Sequence, residues 1–317
     1  MLNYYVKTDN FLRQVNDLEE CNWISLYPPF EHGEIDELAL KLDIPVDYFT
    51  DALDIDERSR FEREDDFLYI LINSPVLNED HREMDSIYIT VPVGIILQGQ
   101  HIVTITSKEN PIIEKFMDDK VRNFNPADSK LFVLQLFEQN VFRFLECLKK
   151  LNLKRNLIEQ ELYNSSRNKE LQQLLRIEKS LVYFVNSLST NELLNLKMKR
   201  TDVLKINENE YLTELFEDIL IDNSQALEMS NVYTNILSGT MEAYASIVSN
   251  NLNIFIQRLT IITIILMVPT LVASFYGMNF EHIPFKDSSY GFYFAIVISL
   301  ILGVGFIMFF RKLEDKK

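Results

Sequence analysis

The chain has 317 residues, 47% of them apolar, a mean hydropathy of −0.04 and a formal net charge of −16. That length is enough for a sizeable core and for membrane segments besides, so two structural regions are expected. The acidic balance excludes nucleic acid as a partner, and two distant cysteines, Cys21 and Cys147, in no C-x-x-C pattern exclude a disulfide framework and a thiolate metal site.

The charge is unevenly placed. Residues 1–85 carry 22 Asp and Glu against 7 Lys and Arg, a balance of −15, so nearly all the excess sits in the N-terminal region, where it gathers counter-cations. Residues 1–7 show no charged leader followed by an apolar stretch, which places the N-terminus in the cytoplasm.

Residues 23–27 (WISLY) alternate as a half-buried strand does, and residues 67–73 (FLYILIN) read as a buried strand. Between them, residues 34–42 and 45–55 show helical apolar spacing, with Pro45 suited to a first turn. Residues 86–91, 93–97 and 102–106 continue the sheet, and Gln98-Gly99-Gln100 joins the last two as a hairpin. A mixed sheet with helices packed on it, ending near Pro111, is therefore expected. No glycine-rich phosphate loop interrupts it.

From residue 127 to residue 238 there is neither glycine nor proline, and apolar residues recur at helical spacing, which predicts long helices over 131–157 and 212–236 with polar joints near 164–168 and 205–209. Helices of this length need partners, either one another or neighbouring subunits. The last one should continue into the membrane, because only Gly239 interrupts residues 211–268 and an isolated glycine costs a helix about 1 kcal/mol.

Between Ile206 and Gln257 there is no Lys or Arg, but there are eight acids: Glu208, Glu210, Glu214, Glu217, Asp218, Asp222, Glu228 and Glu242. On a helix lining a mouth shared by several subunits, such acids concentrate cations. Glu242 lies about three turns before Asn253 on roughly the same face.

Residues 259–280 and 288–310 are uncharged or nearly so, and each is long enough to cross a hydrocarbon core of about 30 Å at about 1.5 Å per residue. Asn253, Thr260, Thr263, Met267, Thr270 and Ser274 recur at intervals of three, four and seven, so they share one face of the first span, with Pro269 inside it. A polar face in a bilayer must meet protein or a water-filled cavity, and one hairpin cannot enclose such a cavity. Threonines that pack helices or bond back to their own carbonyls are the alternative.

The second span carries Phe292, Tyr293, Phe294, Phe306, Phe309 and Phe310 towards its ends and faces lipid. Arg258 before the first span, and Arg311, Lys312, Lys316 and Lys317 after the second, put both termini in the cytoplasm and residues 281–289 outside.

Tyr276-Gly277-Met278-Asn279, closing the first of two C-terminal spans, resembles the signature of the CorA family of divalent-cation channels, the magnesium/cobalt transporters. The lead-in over residues 248–253 and 259–262 and the early strand Trp23-Ile24-Ser25-Leu26-Tyr27 are similar to the family too. The resemblance implies an α/β N-terminal cytoplasmic domain (1–125), a long-helix stalk (126–252), a first transmembrane pore helix (253–280), an external loop (281–289), a second transmembrane helix (290–310) and a basic tail (311–317). It further implies a homopentameric channel in the plasma membrane that transports Mg2+, with Co2+ or Ni2+ as further ions, and that is gated by intracellular Mg2+.

By the same resemblance Gly277, Met278 and Asn279 form the outer selectivity ring, with Tyr276 and Met278 bracing the turn against the second span. Thr270, Met267, Thr263, Leu259, Ile256 and Asn253 line the pore, and Met267, Leu259 and Ile256 form a constriction that can dewet. Asp51 and Asp218 are assigned to a regulatory Mg2+ site between neighbouring subunits, and Glu242 and Glu281 to cation attraction. Magnesium keeps its waters tightly, so an Asn carboxamide ring can hold the hydrated ion without the deep well of a carboxylate ring.

The chain departs from the family where Phe280-Glu281-His282-Ile283-Pro284-Phe285 replaces the frequent Met-Pro-Glu. A zinc transporter of the same architecture, favoured only by His282, and a membrane-anchored signalling or scaffold protein are the competing readings. An enzyme is not expected, because His32, His81, His101 and His282 lack ligand spacing and no nucleophile motif is present.

Overall fold

The computed structural model describes residues 2–8, 11–31, 33–79, 85–164, 168–278, 284 and 289–314, with side chains at all of these except 162–164, 168 and 310–314. The chain divides into two compact units, Met1–Met241 and Glu242–Lys317.

The first unit contains strands β1 (Leu2–Thr8), β2 (Phe11–Val15), β3 (Trp23–Leu26), β4 (Arg60–Arg63), β5 (Phe67–Leu77), β6 (Tyr88–Gln98) and β7 (His101–Thr106), in the sheet order β2-β1-β3-β7-β6-β5-β4. Every neighbouring pair is antiparallel except β3 and β7. The β6–β7 turn has Gly99 at φ +57°, the left-handed backbone that a two-residue hairpin turn needs.

Both faces of the sheet are covered. Trp23, Ile70, Val93, Ile95 and Ile102 point to one side, where α3 (Pro111–Met117), α4 (Ser129–Asn164), α5 (Asn168–Thr201) and the start of α6 (Glu210–Tyr276) pack. Ile24, Leu26, Tyr69, Leu71, Ile96, Val103 and Ile105 point to the other, against α1 (Glu34–Leu42) and α2 (Asp47–Asp51). Burial on both faces is why residues 67–73 read as an unbroken apolar run rather than an alternating one.

The parallel junction of β3 and β7 is pinned by Trp23. Its indole N–H donates to Thr104 Oγ1 at 2.9 Å, and its ring stacks on Tyr5 at 4.8 Å and meets Phe132 edge-on at 5.3 Å. On the opposite face α2 lies so close to β6 that a Cβ on Gly94 would stand 2.6 Å from the Cβ of Ala52. That approach fixes where the neighbouring Asp51 stands.

Residues 88–98 form one strand through Pro92, where two strands were expected from the sequence. The reason is local. Asn73, opposite Pro92 in the register, directs its backbone N–H to Asn191 Oδ1 at 3.0 Å and accepts from Asn191 Nδ2 at 2.9 Å. Asn73 therefore asks nothing of Pro92, and β7 stops at Thr106, opposite Val93, so no ladder bond is forfeited on that side either.

The glycine- and proline-free stretch forms α4, α5 and the start of α6. The expected joint at 205–209 is the α5–α6 connection, where Asp202 and Lys205 take left-handed backbones and Asn209 Oδ1 caps α6 by accepting from Leu212 N–H at 3.1 Å. The joint near 164–168 lies partly outside the described residues. In the first unit α6 buries Leu212, Phe216, Ile219, Asn223, Ala226, Ser230 and Leu237, the three-and-four spacing of a helix packed along its length.

Candidate ion pathway and acid sites

The second unit holds the rest of α6 and α7 (Gly291–Glu314). The most apolar window of each helix is only 6% buried, with mean hydropathies of 2.1 and 2.6. A core helix of a soluble protein would be mostly covered by its own chain. These two leave their apolar surface to lipid or to further copies of the chain.

The two helices divide their faces. On α6, Ile261, Ile264, Ile265, Val268, Val272 and Tyr276 are partly covered, and on α7 Gly291 and Gly303 are buried while Ala295 and Ser299 are partly so. Small residues every four positions let helix backbones approach. Towards the end of α6, Val272, Ala273 and Tyr276 face Phe292, Ala295 and Ser299 across a shared groove. Thr263, Met267 and Thr270 lie about half a turn round from Val268 and Val272, and they are exposed. Leu259, Ile256 and Asn253 extend the same row by helical spacing in a stretch, 251–260, that is exposed all round, and Glu242 is exposed too.

The threonine hydroxyls are spoken for. Thr260 donates to Ile256 O at 2.8 Å, Thr263 to Leu259 O at 2.8 Å and Thr270 to Leu266 O at 3.1 Å. This is the back-bonding that the sequence leaves as the alternative for these threonines; each has spent its one proton inward, and what it still offers outward is acceptor lone pairs.

The α6 helix ends at Tyr276. Gly277 N–H still donates to Ala273 O at 2.9 Å, and Met278 N–H donates to Phe275 O at 3.3 Å, so the last turn tightens there. A Cβ on Gly277 would stand 3.3 Å from the Ala273 carbonyl oxygen. The negative end of the helix dipole thus arrives at the Gly-Met-Asn motif. Tyr276 lines the groove against α7, while Met278 is 43% exposed. Asn279, Glu281 and His282 lie outside the described residues.

In the first unit, Asp51 ends α2 and is ion-paired: Arg60 Nη2 donates to its Oδ2 at 2.6 Å. Arg60 also donates through Nε to Glu62 at 2.7 Å and through Nη1 to Glu57. Burial works against the Arg60 charge, but the hydrogen bond to Glu62 and the charge of Glu57 outweigh it and raise its pKa above the ordinary value. Asp218 is exposed on α6 beside Glu217, which pairs with Lys199 at 2.9 Å. From α4, Glu138 has a pKa raised by burial and by the charges of Asp222 and Asp218.

Asp51 and Asp218 are not brought together within one chain. Phe49 and Ala52 beside Asp51 belong to the α1–α2 face of the sheet, and Phe216 and Ile219 beside Asp218 belong to the opposite face. Among the described residues no group of three or more His, Cys, Asp or Glu is placed to hold a metal. The roles of Arg60 and Glu138 are hard to read from residue order, since contacts across strand and helix neighbours have no fixed spacing. The one available cue was a lone run of arginines, Arg58, Arg60 and Arg63, inside the most acidic region.

An α/β unit, long helices, and two apolar C-terminal helices with little cover of their own define a two-span membrane protein. The sequence model of the CorA-like Mg2+ transporter proteins matches residues 19–312, and the chain belongs to that family. It is 27% identical to the cobalt/magnesium transport protein CorA of Methanocaldococcus jannaschii over 301 residues, 92% of this chain and 90% of that one. It is 23% identical to the cobalt/magnesium transport protein CorA of Thermotoga maritima over 268 residues, 83% of this chain and 74% of that one. The complete structure of the CorA magnesium transporter from Methanocaldococcus jannaschii shares the fold with a TM-score of 0.81, covering 98% of this chain and 97% of that one at 24% identity.

Proposed function

We propose that the chain forms a homopentameric channel in the plasma membrane, with both termini cytoplasmic, that carries hydrated Mg2+, and Co2+ as a further ion, and that closes when intracellular Mg2+ is high. The observation that carries this reading is the side of α6 that bears Thr263, Met267 and Thr270, exposed and turned away from the partly covered Val268 and Val272 that face α7; Asn253, Ile256 and Leu259, exposed as well, continue it by helical spacing. In a hairpin whose other face already meets its neighbour helix, a side that sets Asn253, Thr263 and Thr270 among apolar residues finds its place around a water-filled axis shared by several copies.

The chemistry fits the cargo. A hydrated Mg2+ presents water hydrogens, and back-bonded threonines present acceptors. Asn279 follows the negative helix end and supplies a carboxamide ring, with Gly277 and Met278 shaping the turn. Met267, Leu259 and Ile256 form the constriction, and Glu242 and Glu281 raise the local cation concentration at either mouth.

For regulation, Asp51 and Asp218 of neighbouring subunits share an ion. Their separation by the sheet within one chain, and the lack of a three-ligand cluster among the described residues, favour a shared and largely hydrated ion over a dehydrated one held by a single chain. The segments follow as an α/β domain (1–125), a stalk (126–252), a pore helix (253–280), an external loop (281–289), an outer helix (290–310) and a basic tail.

Ion uptake into proteoliposomes, with wild type and Asn279→Ala, tests this reading. Loss of Mg2+ flux in the variant, a pentamer by mass in detergent, and Zn2+ uptake suppressed by excess Mg2+ are expected. Full flux from Asn279→Ala, or a dimer, would return the chain to an anchoring role. Zn2+ uptake indifferent to Mg2+ would make it a zinc transporter of the same architecture.

A further inference from the structure

Arg60 reaches three carboxylates at once, from α2 (Asp51), from the loop after it (Glu57) and from its own strand (Glu62). Its guanidinium carbon lies 5.7 Å from the centre of the Tyr69 ring, and Tyr69 is fully buried in the sheet beneath it. The planar fork of arginine, backed by an aromatic face, holds a fixed orientation that a lysine would not. One positive charge serves three negative ones, so the group keeps a net negative charge around a resident cation.

Resting on the reading of Asp51 as a regulatory ligand, we infer that Arg60 is the resident counter-cation of Asp51 and sets the internal Mg2+ concentration at which the channel closes. A carboxylate already paired with a guanidinium gives less to an arriving ion, so Mg2+ must share Asp51 with Arg60 or take it over. The pair is placed for such an exchange, since the Asp51 side chain is 40% exposed and that of Arg60 28%. A fully buried pair would be locked by the cost of separating it.

The other half of the regulatory site has the reverse character. Asp218 lies near enough to Glu138 for its charge to act there, together with that of Asp222, so its surroundings carry excess negative charge. One partner attracts the ion through its field, and the other withholds its carboxylate until the ion competes with Arg60. Removing Arg60 therefore frees Asp51 and Glu57 together, leaves Glu62 with its hydrogen bond from the Tyr48 hydroxyl, and should make the channel close at lower Mg2+.

The test uses the full chain, wild type, Arg60→Gln and Asp51→Asn, with two readouts against Mg2+ concentration: inhibition of flux by Mg2+ inside liposomes, and Mg2+-dependent protection from proteolysis. Arg60→Gln should move both midpoints to lower Mg2+ by about threefold to fivefold, the scale of one partly exposed ion pair. The Asp51→Asn change made on top of it should abolish the shift. Should Arg60→Gln fail to fold, Arg60→Lys carries the test, with a smaller shift in the same direction. Midpoints unmoved, or moved to higher Mg2+, while Asp51→Asn alone still removes the response would overturn the role of Arg60 and leave the regulatory site standing. A normal response from Asp51→Asn alone would overturn the regulatory reading itself, and the inference with it.

Discussion

Thr263 donates its hydroxyl proton to the carbonyl oxygen of Leu259, one turn earlier on the same helix, at 2.8 Å. The bond leaves Thr263 Oγ1 a pure acceptor on the side of α6 that α7 does not cover. Thr263→Val keeps the shape of the side chain and removes the acceptor. Flux of Mg2+ should fall about threefold to tenfold, the worth of one hydrogen bond of about 1 kcal/mol, with the oligomer mass unchanged. Thr263→Ser should recover most of it. Wild-type flux from the valine variant would take this face of α6 out of the ion path.

Gly94 and Ala52 form the tightest approach between the sheet and α2. A methyl on Gly94 would meet the Ala52 Cβ at 2.6 Å, where real Cβ atoms do not stand, so Gly94→Ala must push α2 off the sheet and carry Asp51 with it. The expected result is a chain destabilised by about 1–3 kcal/mol, the usual range for overpacking, whose flux responds to internal Mg2+ at a shifted concentration. Ala52→Gly in the same chain removes the opposing methyl and should restore both. If the double variant behaves as the sum of two independent losses, the contact does not position Asp51.

How far the sequence foretold all this depends on which physics each element uses. The strand at 67–73 announces itself by an unbroken apolar run and α1 by apolar period, because each is stabilised by burial of its own residues, whereas the apolar end of α6 announces itself by length alone. Strands β1, β2 and β4 are not legible in the sequence, since β2 and β4 are the sheet edges and β1 lies beside one, and all three, only partly buried, are held by ladder bonds to a neighbour more than by their own burial. Pro92 looked like a strand end for the opposite reason. Only the partner residue Asn191, distant in sequence, shows why a proline costs nothing there. In the site, the period of Asn253, Thr263 and Thr270 was legible from residue spacing alone, whereas the engagement of Asp51 by Arg60 is a tertiary contact with no spacing to read.

Asn191 does for Asn73 what another strand would do, pairing its carboxamide with both backbone groups, and Asn140 Nδ2 adds a third bond to the Asn73 carbonyl at 3.0 Å. Asn191 also accepts from Ser59 Oγ at 2.6 Å. Asn191→Leu is nearly isosteric and strands the buried Asn73 N–H, while the Ser59 hydroxyl keeps Thr190 Oγ1 at 3.2 Å. Unfolding of the first unit, followed by circular dichroism, should show a loss of about 1–3 kcal/mol, the cost of one unsatisfied buried group. Asn191→Asp, which keeps the acceptor, should lose less. A leucine variant as stable as wild type would show that water replaces the carboxamide.

Glu138 carries the remaining prediction, one of pH. Its pKa is raised by burial first and then by the charges of Asp222 and Asp218, so the folded chain holds this proton more tightly than the unfolded chain does. Over the interval from the ordinary glutamate range up to the raised value, the folded state binds more protons, and stability falls as pH rises. Above that interval the ionised side chain is a standing cost. Glu138→Gln should therefore raise the thermal midpoint at neutral pH and flatten its decline as pH rises above the ordinary glutamate range, relative to wild type. Asp218→Asn relieves one of the two charges that press on Glu138 and should recover part of the same gain. The two substitutions together should give less than the sum of their separate effects, because each removes the same repulsion. Strictly additive gains would mean that Glu138 and Asp218 do not feel one another across α4 and α6.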